Sequence, residues 1–527
     1  MGQAELLIAG LLVAVAVLGA FARWLKLPYP IVLVIGGAAV GFIPGLPVVK
    51  LNPDVVLLLF LPPLLYGAAF FADFGYIRAN LRSVSLNSIG LVLVTMIAVA
   101  VVAHEIIPGL PWAAAFALGA VVSPTDPLAA AVIMRRLGVP ARLVNTAEAE
   151  GLFNDATALV AYRVAVAAAI GGGFSLADAG LRFVAGAAGG IAIGIVAGWL
   201  IVQIRQRLED AQLSITISLL SGYAAFIPAD AVGASGVLAA VTTGIFVGVR
   251  GTRVIPARTR LQGGYVWDVL DFLLNAALFV LVGLQLRMIV DGLGGYSTAS
   301  LAGYALAVAG AVIGVRLLWV FTMPYVIRAL DRRPSQRARR VGWRPRAVIG
   351  WSGMRGAVSL AAALAIPVTT DAGAPFPARD LLIFLTYAVI FATLVLQGLT
   401  LPAVIRWLGV SDDGSTDQEE IRARLVASRA ALDRLDGLAE EDWTRDDTIE
   451  RLRALYAYRK RRFAARAGKV EDDGYEDRSL AYQQILIEIL AAQREALVDL
   501  RSEGQISNEV MGRVVHELDL EESRLEI

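Results

Sequence analysis

Long apolar blocks separated by short polar turns occupy the chain from residue 3 to about residue 408. Thirteen can be counted, centred near residues 12, 36, 62, 93, 122, 156, 193, 219, 240, 275, 312, 357 and 394. Their lengths match the roughly 20 residues that cross about 30 Å of hydrocarbon. Lipid offers the backbone no hydrogen-bond partners, so each block is expected to coil into a helix. Beyond Ser411 the pattern changes. Residues 412–527 are dense in Glu, Asp and Arg, and apolar positions such as Ile421, Leu425, Leu432 and Leu435 recur at helical spacing. Thr416 and Glu419 have the spacing of a capping box at its start, and the Gly- and acid-rich stretch 468–478 reads as a break within it. The expected architecture is an all-α polytopic membrane protein with about 13 transmembrane helices over residues 1–410, then a cytoplasmic helical tail over 411–527.

Composition excludes several alternatives. At 57% hydrophobic and 18% charged, with a mean hydropathy of +0.65, the chain carries too little charge for a soluble protein of this size. Many small residues, among them 51 glycines, suit close helix packing in lipid. Cysteine is absent and only His104 and His516 are histidines, so no disulfide, thiolate site or His-based metal centre is expected. No cofactor, enzymatic motif or nucleic-acid partner is indicated. No small-residue cleavage site interrupts the first block, so no cleaved signal peptide is expected.

The net charge of +1 hides a segregation. Alternate turns carry Arg23 and Lys26; Arg78 and Arg82; Arg135, Arg136 and Arg142; Arg205 and Arg207; Arg250 to Arg260; and eight arginines between Arg328 and Arg346. The opposite turns hold only Lys50, Arg182, Arg287 and Arg379. The positive-inside rule puts the N-terminus outside and the C-terminus in the cytoplasm.

Ionisable groups inside a bilayer are costly and mark functional sites. Asp126 lies in VVSPTDPLAA, bracketed by Pro124 and Pro127. Each proline removes an N–H and disrupts the preceding turn, so the fifth block is expected to break near midplane. The break would free carbonyls and the Ser123 and Thr125 hydroxyls for a cation. Asp155 lies in AEAEGLFNDATALV. Counted from Leu143, it sits about 18 Å along the sixth block, near the membrane centre. Glu150 and Asn154 are four apart and share a face, with Asp155 turned about 100° from Asn154. Arg355, in WSGMRGAVSLAAALAIP, is flanked by Gly353 and Gly356, which favours a second interruption. Its guanidinium needs compensation, from Glu150 as a structural ion pair or from the carbonyls of the broken helix.

The fifth and twelfth blocks are seven apart, as expected if blocks 1–6 repeat as 8–13 in inverted orientation. Two crossed discontinuous helices would then meet at midplane, the arrangement that marks a transport site. A hard cation such as Na⁺ takes carboxylate, carbonyl and hydroxyl oxygens, and these segments supply all three. A proton competes for the same carboxylate. A site that holds either ion, and crosses only when occupied, is an antiporter. Asp155 and Asp126 are the candidate ligands of the transported Na⁺, with K⁺ and Li⁺ as alternatives. A channel would more naturally repeat a filter loop of carbonyls. A sensor working through its tail is a third reading, against which the intact SPTDP and EGLFND stand.

These motifs resemble the monovalent cation:proton antiporter family, which includes bacterial NhaP-type and animal plasma-membrane sodium/proton exchangers. The resemblance covers about residues 5–408 and rests on LPPLLYGAAF, SPTDP, EGLFND, WDVLDFLLNAALFVLVGLQL and GMRGAVSLAAALAIP. It implies a homodimer in the bacterial cell membrane, exchanging Na⁺ for H⁺ in pH homeostasis. It also implies interface helices 1–3 and 8–10, with a core of helices 4–6 and 11–13 that moves as an elevator. Asp155 resembles the essential ion- and proton-binding Asp, and Asp126 and the backbone at Thr125 resemble its co-ligands. Asn154 resembles the amide of an Asn–Asp pair that marks electroneutral exchange, and Glu150 with Arg355 resembles a structural pair. Gly151 departs from the pattern, standing where NhaP-like members can place a Ser that offers the ion a hydroxyl.

Overall fold

The computed structural model describes residues 3–44, 53–171, 176–330, 341–471, 474–523 and 525. The described residues are helical, apart from turns and one isolated bridge between Thr369 and Pro375. They divide into two units, Met1–Asp412 and Asp413–Ile527.

The first unit runs α1 (Gln3–Trp24), α2 (Tyr29–Gly41), α3 (Pro53–Phe71), α4 (Leu81–Ile106), α5 (Trp112–Val122), α6 (Leu128–Arg136) and α7 (Ala141–Gly171). It continues through α8 (Leu176–Arg205), α9 (Ala211–Ala231), α10 (Gly236–Val254), α11 (Ala257–Asp291) and α12 (Thr298–Leu330). It ends with α13 (Trp343–Trp351), α14 (Ala357–Leu364) and α15 (Arg379–Leu408). Among the described residues, seven helices are long and apolar enough to cross a membrane: α4, α7, α8, α9, α11, α12 and α15. The other expected centres fall on shorter helices. Those near 122 and 357 fall at the end of α5 and the start of α14, where the chain leaves and re-enters helix. Outward-facing apolar side chains such as Leu181, Leu306 and Leu318 give this unit a surface suited to lipid.

Two sets of helices emerge from the packing. In the first, α2 runs along α11, and α10 lies against α3, α8 and α9. In the second, α5 packs between α4 and α7, α12 meets α4, α13 and α15, and α14 lies on α15. Close approach of α2 and α11 depends on missing side chains. A Cβ at Gly283 would overlap Val34 O and stand 2.6 Å from Ala38 N, and one at Gly37 would overlap Val280 O.

Among the described residues the tail unit has four helices, α16 (Ser415–Leu438), α17 (Asp446–Arg466), α18 (Tyr475–Ser502) and α19 (Asn508–Glu522). They associate chiefly as α16 with α17 and α18 with α19. Arg453 meets Asp436 at 2.7 Å in the first pair, and Arg494 bridges to Asp519 and Glu522 in the second. The expected Thr416–Glu419 capping box does not form, because α16 already begins at Ser415 behind the left-handed Gly414. Asp413 takes the capping role, accepting from the Ser415 N–H at 3.2 Å.

Gly283→Val should wedge α2 from α11 and lower stability by about 1–3 kcal/mol, as overpacking does. Thermal unfolding in detergent reads this directly, and an unchanged midpoint would mean that the helices separate freely.

Candidate functional site

Two stretches of unwound chain cross inside the second set. Residues 123–127 separate α5 from α6, and 352–356 separate α13 from α14. Pro124 and Pro127 stop the first helix, and the Gly353 and Gly356 backbones let the second strand lie close to it. One main-chain bond ties them, from the Asp126 N–H to Met354 O at 2.8 Å.

Four half-helices end here, and their exposed backbone groups set the electrostatics. The α6 N-terminus meets Asp126, whose Oδ1 accepts from the Leu128 N–H at 2.9 Å. The α14 N-terminus lies beside the same carboxylate, since a Cβ at Gly356 would overlap Asp126 Oδ2. Positive helix ends thus face an anion. The C-terminal ends face cations. Arg355 donates from Nε to Val122 O, the end of α5, at 3.1 Å and from Nη1 to Gly353 O. Its own N–H is held by Thr393 Oγ1 at 3.1 Å. Arg316 of α12 donates from Nη2 to Ile349 O, near the end of α13, at 3.1 Å.

Glu150 of α7 pairs with Arg316, not with the expected Arg355. Arg316 Nη1 donates to Glu150 Oε1, and both side chains are almost wholly buried. Thr125 Oγ1 donates to the same oxygen at 3.0 Å, and Ser88 Oγ holds the Glu150 carbonyl at 3.0 Å. The physical reason is reach. The Arg355 guanidinium is occupied by carbonyls of the interrupted helices, whereas Arg316 extends across Gly353, where a Cβ would overlap its side chain. The signal in the sequence for Arg316 is its charge inside an apolar span.

Asp126 and Asp155 line one cavity of about 400 Å³. Ser123, Thr125 and Asn154 are not among its lining residues. Asn154 Nδ2 instead braces the unwound chain, donating to Thr125 O and Thr125 Oγ1, both at 2.9 Å. Ser123 Oγ turns back to Ala120 O at 3.0 Å. Thr157 Oγ1 donates to Phe153 O at 3.1 Å, and Gly151 lies under the Pro127 ring, where a Cβ would stand 2.5 Å from Pro127 Cδ. The ring therefore fills the space that a Ser side chain at 151 would need.

The opposite wall comes from α11 of the first set, with Trp267, Asp268, Asp271 and Asn275. Both acids line the cavity. Asp271 Oδ1 accepts from Asn275 Nδ2 at 3.0 Å, and Arg260 Nη1 donates to Ile255 O. Asp73, Tyr76 and the Arg135–Glu148 ion pair (2.5 Å) line the part of the cavity nearest the Arg-rich turns. Among the described residues no group of three or more acidic, His or Cys side chains could cage a metal ion. The site is an accessible pair of carboxylates rather than a closed chelate.

Residues 10–407 match the family model described as sodium/hydrogen exchanger, transmembrane. The chain belongs to the sodium/hydrogen exchanger family. A Na⁺/H⁺ exchanger of Mycobacterium tuberculosis is 38% identical over 98% of this chain and 97% of its own. A sodium, potassium, lithium and rubidium/H⁺ antiporter of Bacillus subtilis is 34% identical over 71% of this chain and 57% of its own. The sodium proton antiporter MjNhaP1 of Methanocaldococcus jannaschii, solved at pH 8, shares the fold. Its TM-score is 0.60 at 20% identity, covering 76% of this chain and all of that one. This exchanger is thus a multi-pass membrane transporter and not an enzyme.

Removing one half of a buried ion pair strands the other charge. Arg316→Ala should therefore destabilise the exchanger by about 3–5 kcal/mol. Arg355→Ala, which strands only carbonyls, should cost about 1–3 kcal/mol. Detergent melting curves give the ranking, and the reverse order would return the pairing role to Arg355.

Proposed function

We propose that this exchanger moves Na⁺ inward or outward against H⁺ across the bacterial cell membrane, with Asp155 holding ion and proton in turn. One observation carries the reading. Asp155 and Asp126 line one cavity together with Asp268 and Asp271 of α11, so the carboxylates lie between the two helix sets. Further along α3, α11 and α14 the facing side chains are apolar, with Val56 and Leu281 opposite Leu360 and Leu364. Titratable groups in a cavity, followed by an apolar stretch between the same helices, suit alternating access better than a continuous pore.

Oxygen ligands come from Asp155 and Asp126, with water completing the shell. Thr125, Ser123 and Asn154 contribute by holding the unwound chain that presents Asp126, and the Thr125 carbonyl is a further ligand once that chain shifts. Asn154 adds no second titrating charge beside Asp155, which favours one cation for one proton and electroneutral exchange. Li⁺ and K⁺ remain alternative substrates, because two accessible carboxylates without a closed cage discriminate weakly by size. The sodium, potassium, lithium and rubidium range of the Bacillus subtilis antiporter supports that breadth.

The two helix sets support an elevator. The second set carries Asp126 and Asp155, while the first carries Asp268 and Asp271 and would form the homodimer interface. Basic turns at the cavity mouth favour a cytoplasmic opening, with the N-terminus outside and the tail inside. In that position the tail is a regulatory or assembly appendage.

Asp155→Asn should reduce Na⁺-driven proton flux in reconstituted vesicles to the level of empty ones while leaving the protein in the membrane. Near-normal flux would sink the assignment. Protons occupy Asp155 more as pH falls, so the apparent KM for Na⁺ should rise, approaching tenfold per pH unit where the protonated form dominates. A KM independent of pH would separate the two binding sites. An imposed membrane voltage should leave the rate unchanged.

A further inference from the structure

Arg163 and Asp230 are both costly where they stand. Arg163 lies about two turns before the end of the apolar helix α7, where its half-exposed guanidinium still gains from a partner. Asp230 occupies the last turn of α9, where the partial negative charge of the helix end opposes a carboxylate. They meet at 2.6 Å, which offsets both costs. The pair also joins the two helix sets, since α7 belongs to the second and α9 to the first.

Its level in the membrane is informative. On α7 the cavity is lined from Asn145 to Asp155, and Arg163 lies eight residues further along. At 1.5 Å per residue it is about 12 Å past the cavity floor. The apolar seam between α3, α11 and α14 lies on the same far side. That seam is non-directional, and its side chains slide past one another without losing a specific bond. An ion pair has a defined geometry and must break.

We infer that Arg163–Asp230 is a latch that holds the two helix sets together on the side opposite the cavity mouth and opens when the site is exposed there. The inference rests on the alternating access proposed above. Both side chains are about half exposed, at 55% and 45%, so the latch is weak. Solvent-exposed pairs of this kind bias an equilibrium by about two- to fivefold. A weak latch fits a transporter that must release it in every cycle.

The chain contains no cysteine, which makes the test clean. Arg163→Cys with Asp230→Cys is reconstituted and treated with a short bifunctional maleimide, whose reach suits the span of an Arg–Asp pair better than a disulfide does. Cross-linking should cut exchange at least tenfold, while each single variant treated alike keeps its rate. Without reagent, Arg163→Gln should shift the ratio of Na⁺ KM values on the two membrane faces by about two- to fivefold, with weaker apparent binding on the cavity side. The swap of Arg163→Asp with Asp230→Arg should restore the ratio. A cross-linked protein exchanging at full rate, a double variant that fails to cross-link, or an unchanged KM ratio in Arg163→Gln each overturns the latch. Asp155→Asn separates the two readings. If it is inactive while the cross-linked protein still exchanges, only the latch falls; if it exchanges normally, the site assignment falls.

Discussion

A helix that stops halfway through a bilayer leaves unpaired carbonyls on one side of the break and unpaired N–H groups on the other. Two such helices crossing at one level double the problem, and hydrocarbon supplies no water to relieve it. Here each kind of helix end is given an opposite charge. Asp126 serves the N-termini of α6 and α14, while Arg355 and Arg316 serve the ends of α5 and α13. The main-chain bond from Asp126 to Met354 O fixes the register of the two strands. The placement of Asp126, the brace at Asn154 and the buried Glu150–Arg316 pair all follow from that crossing.

Both interruptions were legible in the sequence, because proline and glycine act on the backbone locally and SPTDP and GMRG contain them. So was the need of Glu150 for a guanidinium. Which guanidinium was not, since Arg316 and Arg355 are equally expensive residues in equally apolar spans. Only the path of the chain decides that one is consumed by carbonyls and the other reaches the acid. Hydroxyls and amides pose the same difficulty. Ser123, Thr125 and Asn154 have partners within a few ångströms on either side, and spacing alone does not say which they take. Asp268 and Asp271 carry no motif of their own, and only the packing of α11 brings them to the cavity.

Gly151 shows how a missing side chain is understood from its surroundings. In the sequence it reads as a ligand lost. In the structure it is the flat surface on which the Pro127 ring rests, so the geometry of the first interruption and the absence of a hydroxyl are one arrangement.

The unequal depths of the cavity and the apolar seam have an electrical consequence. Water in the cavity holds its floor near the potential of the compartment onto which it opens, so the voltage across the membrane drops mainly over the thin closed seam. Moving one elementary charge through a full 100 mV corresponds to about 2.3 kcal/mol. In this geometry most of that would act over the short distance beyond Asp155 rather than over the whole bilayer. A carrier that returns a proton for each cation sends equal charge both ways through this compressed field. Under the one-for-one exchange proposed above, the seam can be thin without the membrane voltage taking control of the cycle.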